Sequence, residues 1–116
     1  MDVFDAIVQV ESGGDCNAYN PKEAAVGPAQ IRFCYLQDAN EQLRKEGRRT
    51  YSHTAMFDRE NSRAVCEAYW RRYGAKTDEQ KARMHNGGGP NGMRKKSTVI
   101  YWERVQACMA MTSAEK

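Results

Sequence analysis

Glycine and proline residues interrupt this sequence at short intervals, so the chain has room only for short secondary-structure elements. Helix signals fill those intervals. Asp2 and Asp58 stand where helix N-caps are expected, and residues 77–80, which read TDEQ, have the form of a capping box. Gly13 and Gly74 follow two helical patterns and are typical helix stops. Because the apolar–polar alternation of half-buried strands is nearly absent, the sequence predicts a mostly α-helical domain of about five helices with little or no β-sheet.

The apolar spacing gives approximate bounds for these predicted helices and for the loops between them. The helices are expected at residues 3–12, in the later part of residues 29–46, at residues 59–73, from residue 78 to about residue 85, and from residue 97 or 98 to at least residue 108. Residues 15–27 and 47–58 are predicted to be loops. The glycine-rich residues 86–92 are predicted to be a turn-rich loop without regular structure.

Length and composition limit the classes of protein to which the chain can belong. Its 116 residues suit one compact domain, residues 1–116, which we expect to be a monomer. Hydrophobic residues make up 41% and charged residues 28%, which favours a packed core over wholesale disorder. No apolar run approaches the roughly 18 residues of a membrane span. A net charge of +3 falls short of a composition dedicated to nucleic acids. No signal peptide is recognisable, since acidic residues stand where its basic segment would be.

The cysteines do not form a recognisable metal-binding motif. There are four of them: Cys16, Cys34, Cys66 and Cys108. No Cys-x-x-Cys pair is present, and the histidines, His53 and His85, are distant in sequence from every cysteine. Neither a metal nor another cofactor is therefore expected. Two disulfides and reduced thiols are both compatible with the sequence.

Glu11 is the candidate catalytic residue that the helical pattern itself indicates. It continues the apolar face formed by Phe4, Ile7 and Val8, so the first helix is expected to turn it inward at its C-terminal end. A carboxyl group in such a place is removed from water and lies at the negative end of the helix dipole, and both effects favour an acid that can donate a proton. The competing interpretation is a glutamate that bends out into solvent or pairs with an arginine.

Four motifs occur in an order that resembles the lysozyme-like superfamily. Residues 7–14 read IVQVESGG and residues 27–31 read GPAQI, which is similar both to lytic transglycosylases and to invertebrate-type (destabilase) lysozymes. Residues 82–92 read ARMHNGGGPNG and residues 101–105 read YWERV. Together with residues 66–73, these later motifs look more like the invertebrate type. The resemblance covers about residues 5–107 and implies a small helical domain with a substrate cleft.

The resemblance implies that Glu11 is the general acid that protonates a glycosidic oxygen. Tyr101 matches an aromatic residue that faces this glutamate in the transglycosylases, although a place in the core explains it equally well. The invertebrate-type enzymes also have an aspartate in the loop before GPAQI, where this chain departs from the pattern and has Asn20 and Glu23. Glu23 is the better candidate for a second catalytic carboxylate, and Asp15 is a less well matched one.

Four further residues are implied to bind substrate, and three of them have a plain structural alternative. Ser12 would hydrogen-bond near the catalytic glutamate, or would only end the helix. Gln30 would hold a sugar amide, or would be a buried structural amide. Asn86 would lie at the cleft floor with His85 alongside, or would only supply the turn beside the glycines. The invertebrate pattern has one glycine fewer before the proline and many more cysteines, so its disulfide framework is not implied here.

The function that the resemblance implies is cleavage of the β-1,4 bond between N-acetylmuramic acid and N-acetylglucosamine in peptidoglycan. The ligand would be peptidoglycan or a chitooligosaccharide, and the protein would act at a cell wall after secretion, in a periplasm or through delivery by a phage. Two alternatives stay open: a lytic transglycosylase that forms anhydro ends, and a lysozyme-like module that binds glycan without cleaving it. The basic residues at 44–49 and 94–96 are more typical of a solvated surface than of nucleic-acid binding, and the aromatic residues at 69–73 are more typical of core than of sugar platforms.

Overall fold

The computed structural model describes the backbone of residues 1–115 and the side chains of residues 1–111. Within this part of the chain, five α-helices account for most residues: α1 (Val3–Ser12), α2 (Phe33–Lys45), α3 (Arg59–Tyr73), α4 (Asp78–Gly87) and α5 (Ser97–Glu115). A small antiparallel hairpin joins β1 (Tyr19–Asn20) to β2 (Ala25–Val26), and two 3-10 helices span Thr54–Phe57 and Pro90–Arg94. The predicted mostly α-helical class, with very little sheet, is confirmed.

The helix ends follow the local signals in the sequence. The carboxylates of Asp2 and Asp58 each accept a hydrogen bond from the backbone N–H three residues further on, and residues 77–80 form the capping box at the start of α4. Gly13 and Gly74 end α1 and α3 in the left-handed conformation, which glycine adopts without steric cost. The predicted bounds of α1 and α3 are confirmed.

Three predicted loops contain regular structure. Residues 15–27 include the hairpin of β1 and β2, and residues 47–58 include a 3-10 helix that contains the fully buried Met56. The prediction that residues 86–92 lack regular structure is wrong, since α4 continues to Gly87 and a 3-10 helix begins at Pro90. Gly92 packs so closely on α4 that a Cβ there would lie 2.7 Å from the carbonyl oxygen of Arg83. Gly87 and Gly92 therefore serve close packing rather than a turn alone.

The core lies where the helices meet in pairs: α2 against α3, α4 against α5, and α1 against α5. The predicted core residues Tyr69 and Trp70 are buried within it. The start of α1 is also tied to α3, because the carboxylate of Asp5 lies 2.7 Å from the guanidinium of Arg59. None of the helices within residues 1–115 combines the length and the apolar character needed to cross a membrane. In this fold the C-terminal end of α1, the hairpin and the end of α4 lie next to one another.

Candidate functional site

A polar cleft of about 200 Å³ opens between the end of α1, the hairpin, the beginning of α2 and the end of α4. Its lining residues are Glu11, Asn20, Glu23, Ala25, Gln30, Arg32, Tyr35, His85 and Asn86. The structure therefore brings together five of the residues that the sequence singled out, which are Glu11, Glu23, Gln30, His85 and Asn86. Tyr101 lies behind the cleft and contacts Glu11 from the core.

Ser12 makes structural hydrogen bonds at the end of α1. It is not among the described residues that line the cleft. Its hydroxyl lies 2.8 Å from the carbonyl oxygen of Pro28 and 3.2 Å from that of Val8, and donates to these acceptors. The hydroxyl of Ser12 therefore joins the end of α1 to residues 27–31, and its predicted role in substrate binding stays a prediction.

The GPAQI segment forms a tight turn that brings Gln30 to the cleft. Gly27 has a φ of +83°, and a side chain there would collide with the backbone carbonyl of Met56. Gln30 also has a positive φ, and its side-chain amide donates to the carbonyl oxygen of Gly27 at 2.9 Å. Backbone bonds between Val26 and Ile31 close the turn. The amide nitrogen of Gln30 is therefore held by a structural hydrogen bond, while the residue also lines the cleft.

Glu11 is held at one oxygen by a buried hydroxyl. Tyr101 donates to Oε2 of Glu11 at 2.8 Å, which makes Tyr101 a contact of the candidate acid rather than core filling alone. Burial, followed by the nearby charge of Glu11, raises the pKa of Tyr101 well above its usual value, so the hydroxyl keeps its proton and remains a donor. The Glu11 side chain is 23% exposed, which places it at the cleft surface rather than in open solvent.

His85 is buried in a single, definable protonation state. Its Nε2 lies 2.9 Å from the carbonyl oxygen of Ala29, which can only accept, so Nε2 carries the proton. Nδ1 lies 3.1 Å from the hydroxyl of Tyr35 and accepts from it, because burial raises the pKa of Tyr35 well above its usual value and keeps that proton in place. Burial also lowers the pKa of His85 itself, an effect that the charge of Glu11 only partly opposes. The imidazole is therefore neutral at neutral pH.

This neutral imidazole lies beside the carboxyl group without forming an ion pair. Its Nε2 is 3.8 Å from Oε2 of Glu11, the same oxygen that Tyr101 contacts. Oε2 of Glu11 therefore has one hydrogen-bond donor, Tyr101, and an uncharged imidazole beside it.

Glu23 and Asn86 reach the cleft from opposite elements. Glu23 lies in the turn of the hairpin, where Oε1 is 3.6 Å from a guanidinium nitrogen of Arg32 and Oε2 is 3.4 Å from the amide nitrogen of Asn20. Its side chain is 57% exposed, so these contacts orient it only loosely. Asn86 projects from the last turn of α4 and is exposed. Asp15 is exposed and is not among the described lining residues.

Arg32 and Tyr35 are the cleft residues that the sequence interpretation missed. Arg32 directly follows GPAQI, and its position after that motif was the available signal. Tyr35 continues the apolar face of α2, so its spacing indicates core, and its bond to His85 joins residues 50 apart that no local pattern connects. Among the described side chains of residues 1–111, no group of three or more histidine, cysteine or acidic residues is arranged to hold a metal ion.

No protein-family model matches the chain, and no curated protein is significantly similar to it.

Proposed function

We propose that this protein is a glycosidase that cleaves the β-1,4 bond between N-acetylmuramic acid and N-acetylglucosamine in peptidoglycan, with Glu11 as the general acid. The observation that carries the proposal is the environment of the Glu11 carboxyl group. Tyr101 holds Oε2 from the buried side, while the residue opens onto a polar cleft that also contains Glu23. Most glycoside hydrolases use a pair of carboxylates that flank one cleft. The order of the four sequence motifs points to the same chemistry.

In the proposed reaction, protonated Glu11 donates its proton to the glycosidic oxygen. The C1–O bond breaks, its electron pair goes to the departing oxygen, and positive charge develops on the sugar ring. Negative charge develops at the same time on the carboxyl group of Glu11. The hydrogen bond from Tyr101 strengthens as that charge appears, because bonds to charged acceptors are stronger than neutral ones. Tyr101 therefore stabilises the transition state more than the ground state.

Glu23 is the proposed partner for the developing positive charge. Retaining glycosidases hold their two carboxyl groups about 5 Å apart and form a covalent intermediate, whereas inverting enzymes leave about 6.5–9.5 Å for a water molecule. In either case water completes the reaction and Glu23 assists at the sugar carbon. The guanidinium of Arg32, 3.6 Å from Oε1 of Glu23, orients that carboxylate loosely at the edge of the cleft. Gln30 and Asn86 supply amide groups for the acetamido substituents of the sugars.

A lytic transglycosylase is the second candidate, and the Tyr101 contact favours it. The resemblance implies an aromatic residue facing the catalytic glutamate in that class, and Tyr101 does donate to Glu11. In this route a hydroxyl of the substrate attacks the sugar carbon, and Glu11 takes the proton from it after acting as acid. Glu23 would then be dispensable. The products carry anhydro ends and are lighter than hydrolysis products by one water molecule, so mass spectrometry of the products separates the two routes.

The test of the proposal compares Glu11→Gln with the wild type on purified peptidoglycan. Glutamine keeps the shape of the side chain and still accepts from Tyr101 but has no acidic proton, so the rate is expected to fall by about 10²–10⁴-fold. Glu103→Gln, an exposed position on α5, is the matched control and should keep the wild-type rate. Wild-type activity in Glu11→Gln would overturn the proposal. Binding of glycan by the wild type without any turnover would favour a binding module instead.

A further inference from the structure

A second groove lies beside the cleft, along α2. Its volume is about 290 Å³, near the lower limit of about 300 Å³ for ligand pockets. Tyr35 lines the cleft, whereas its neighbour in the helix, Leu36, lines the groove. Consecutive residues of α2 therefore face the two sites. A ligand that occupies the cleft and carries a side branch is able to reach both.

The wall of this groove is held in place before any ligand binds. Residues 51–53 form the wall opposite α2. The side-chain amide of Asn40 donates to the carbonyl oxygen of Tyr51 at 2.9 Å and accepts from its N–H at 3.0 Å. Nε2 of His53 lies 2.7 Å from the carbonyl oxygen of Ile31, at the end of the GPAQI turn. These bonds fasten the wall both to α2 and to the segment that builds the cleft.

The groove carries uncompensated positive charge. Glu41, the acidic residue in its lining, is neutralised by Arg72 at 2.7 Å. Arg44 also lines the groove, and the guanidinium of Arg49 lies 4.6 Å above the ring of Tyr51. Among the described residues, no carboxylate lies within ion-pair distance of Arg44 or Arg49. The groove is therefore suited to an anionic ligand.

The groove also offers apolar surface to that ligand. Phe33 is 54% exposed at its edge, with its ring centroid 5.8 Å from that of His53. An exposed aromatic side chain on a concave surface is a frequent feature of binding sites. The ligand that fits carries carboxylates together with small apolar groups.

We propose that this groove binds the peptide stem of peptidoglycan. The inference rests on the proposed function, which places the glycan strand in the cleft. Each N-acetylmuramic acid of that strand carries a short peptide with free carboxylates and methyl side chains. Arg44 and Arg49 pair with the carboxylates, and Phe33 with Tyr51 covers the apolar groups. The groove thereby makes the protein prefer peptide-bearing strands over bare glycan.

The test measures affinity in the Glu11→Gln protein, which prevents cleavage of the ligand. Two probes are used: purified glycan oligomers of one length that carry their peptide stems, and the same oligomers after the stems have been removed with an amidase. The stem-bearing oligomer is expected to bind about five- to tenfold more tightly, the gain that two exposed ion pairs supply. Adding Arg44→Gln and Arg49→Gln should abolish that difference and leave the affinity for bare glycan unchanged.

The matched control adds Arg94→Gln and Arg104→Gln, two exposed arginines outside the lining of the cleft and groove, and should retain the preference. Equal affinity of the parent for both oligomers, or equal losses in the two arginine pairs, would overturn the inference. Competition by a single-stranded RNA of similar charge at equal strength would also overturn it and assign the groove to polyanions in general. A wild-type protein that fails to cleave either oligomer contradicts the proposed function, while the ratio of affinities still decides the role of the groove.

Discussion

Replacing Tyr101 by phenylalanine tests the proposed role of the Glu11 environment in detail. The change removes one buried hydroxyl that donates to Oε2 of Glu11 at 2.8 Å and leaves the aromatic ring in the core. A hydrogen bond to a charged group contributes about 1.5–3 kcal/mol. If the hydrogen bond from Tyr101 stabilises mainly the negative charge that develops on Glu11, its removal lowers kcat/KM by about ten- to a hundredfold. Stability should change by less than about 1.5 kcal/mol, because water reaches the carboxyl group that the hydroxyl leaves.

The assay is the initial rate of fragment release from peptidoglycan, with the urea midpoint of each protein measured in parallel. Tyr73→Phe is a matched control, since Tyr73 donates to the carboxylate of Asp38 at the same distance of 2.8 Å but away from the cleft. It should keep the wild-type rate. An unchanged rate in Tyr101→Phe, or equal losses in both variants, would refute the argument that the bond strengthens in the transition state.

Three further predictions concern stability and are checked by denaturant unfolding. Tyr35→Phe leaves a buried ring nitrogen of His85 with only the weak thiol donor of Cys66, 3.9 Å away, and should cost about 1–3 kcal/mol; an unchanged midpoint would contradict the assigned tautomer. Burial lowers the pKa of His85, so the imidazole takes up a proton more readily in the unfolded chain, and stability should fall as pH drops below 6.5. Burial raises the pKa of Cys66 to about 12, so the thiol loses its proton more readily in the unfolded chain, and stability should also fall as pH rises above 9.0. Gly27→Ala should cost about 3 kcal/mol or more through its backbone collision, whereas Gly47→Ala, with similar φ and open space, should cost about 1–2 kcal/mol.

The helical framework was predictable because its signals are local. The caps of α1 and α3 and the capping box of α4 each depend on residues within one turn of the helix end. Local signals wrongly predicted a loop without regular structure at residues 86–92, because the glycines there allow α4 and the following 3-10 helix to pack closely. Gly87 also packs against Thr98 of α5, a contact that the helix signals in the sequence do not indicate.

The candidate site was predictable only in part. Spacing placed Glu11 on the inward face of α1, and the motif order drew attention to Glu23, Gln30, His85 and Asn86, all of which line the cleft. The partners that define the chemistry lie far away in sequence: Tyr101 is 90 residues from Glu11, and Tyr35 is 50 residues from His85. The role of Ser12 was implied by the resemblance alone. Its hydroxyl donates to the carbonyl oxygen of Pro28, 16 residues further along the chain.

The central claim, that Glu11 delivers the proton that cleaves the glycan, is tested most directly by mass spectrometry of the fragments that wild type and Glu11→Gln release from purified peptidoglycan. The account predicts muropeptides cut between N-acetylmuramic acid and N-acetylglucosamine from the wild type, and almost none from a Glu11→Gln protein that has the same urea midpoint. The same fragments in similar amounts from both proteins would contradict it.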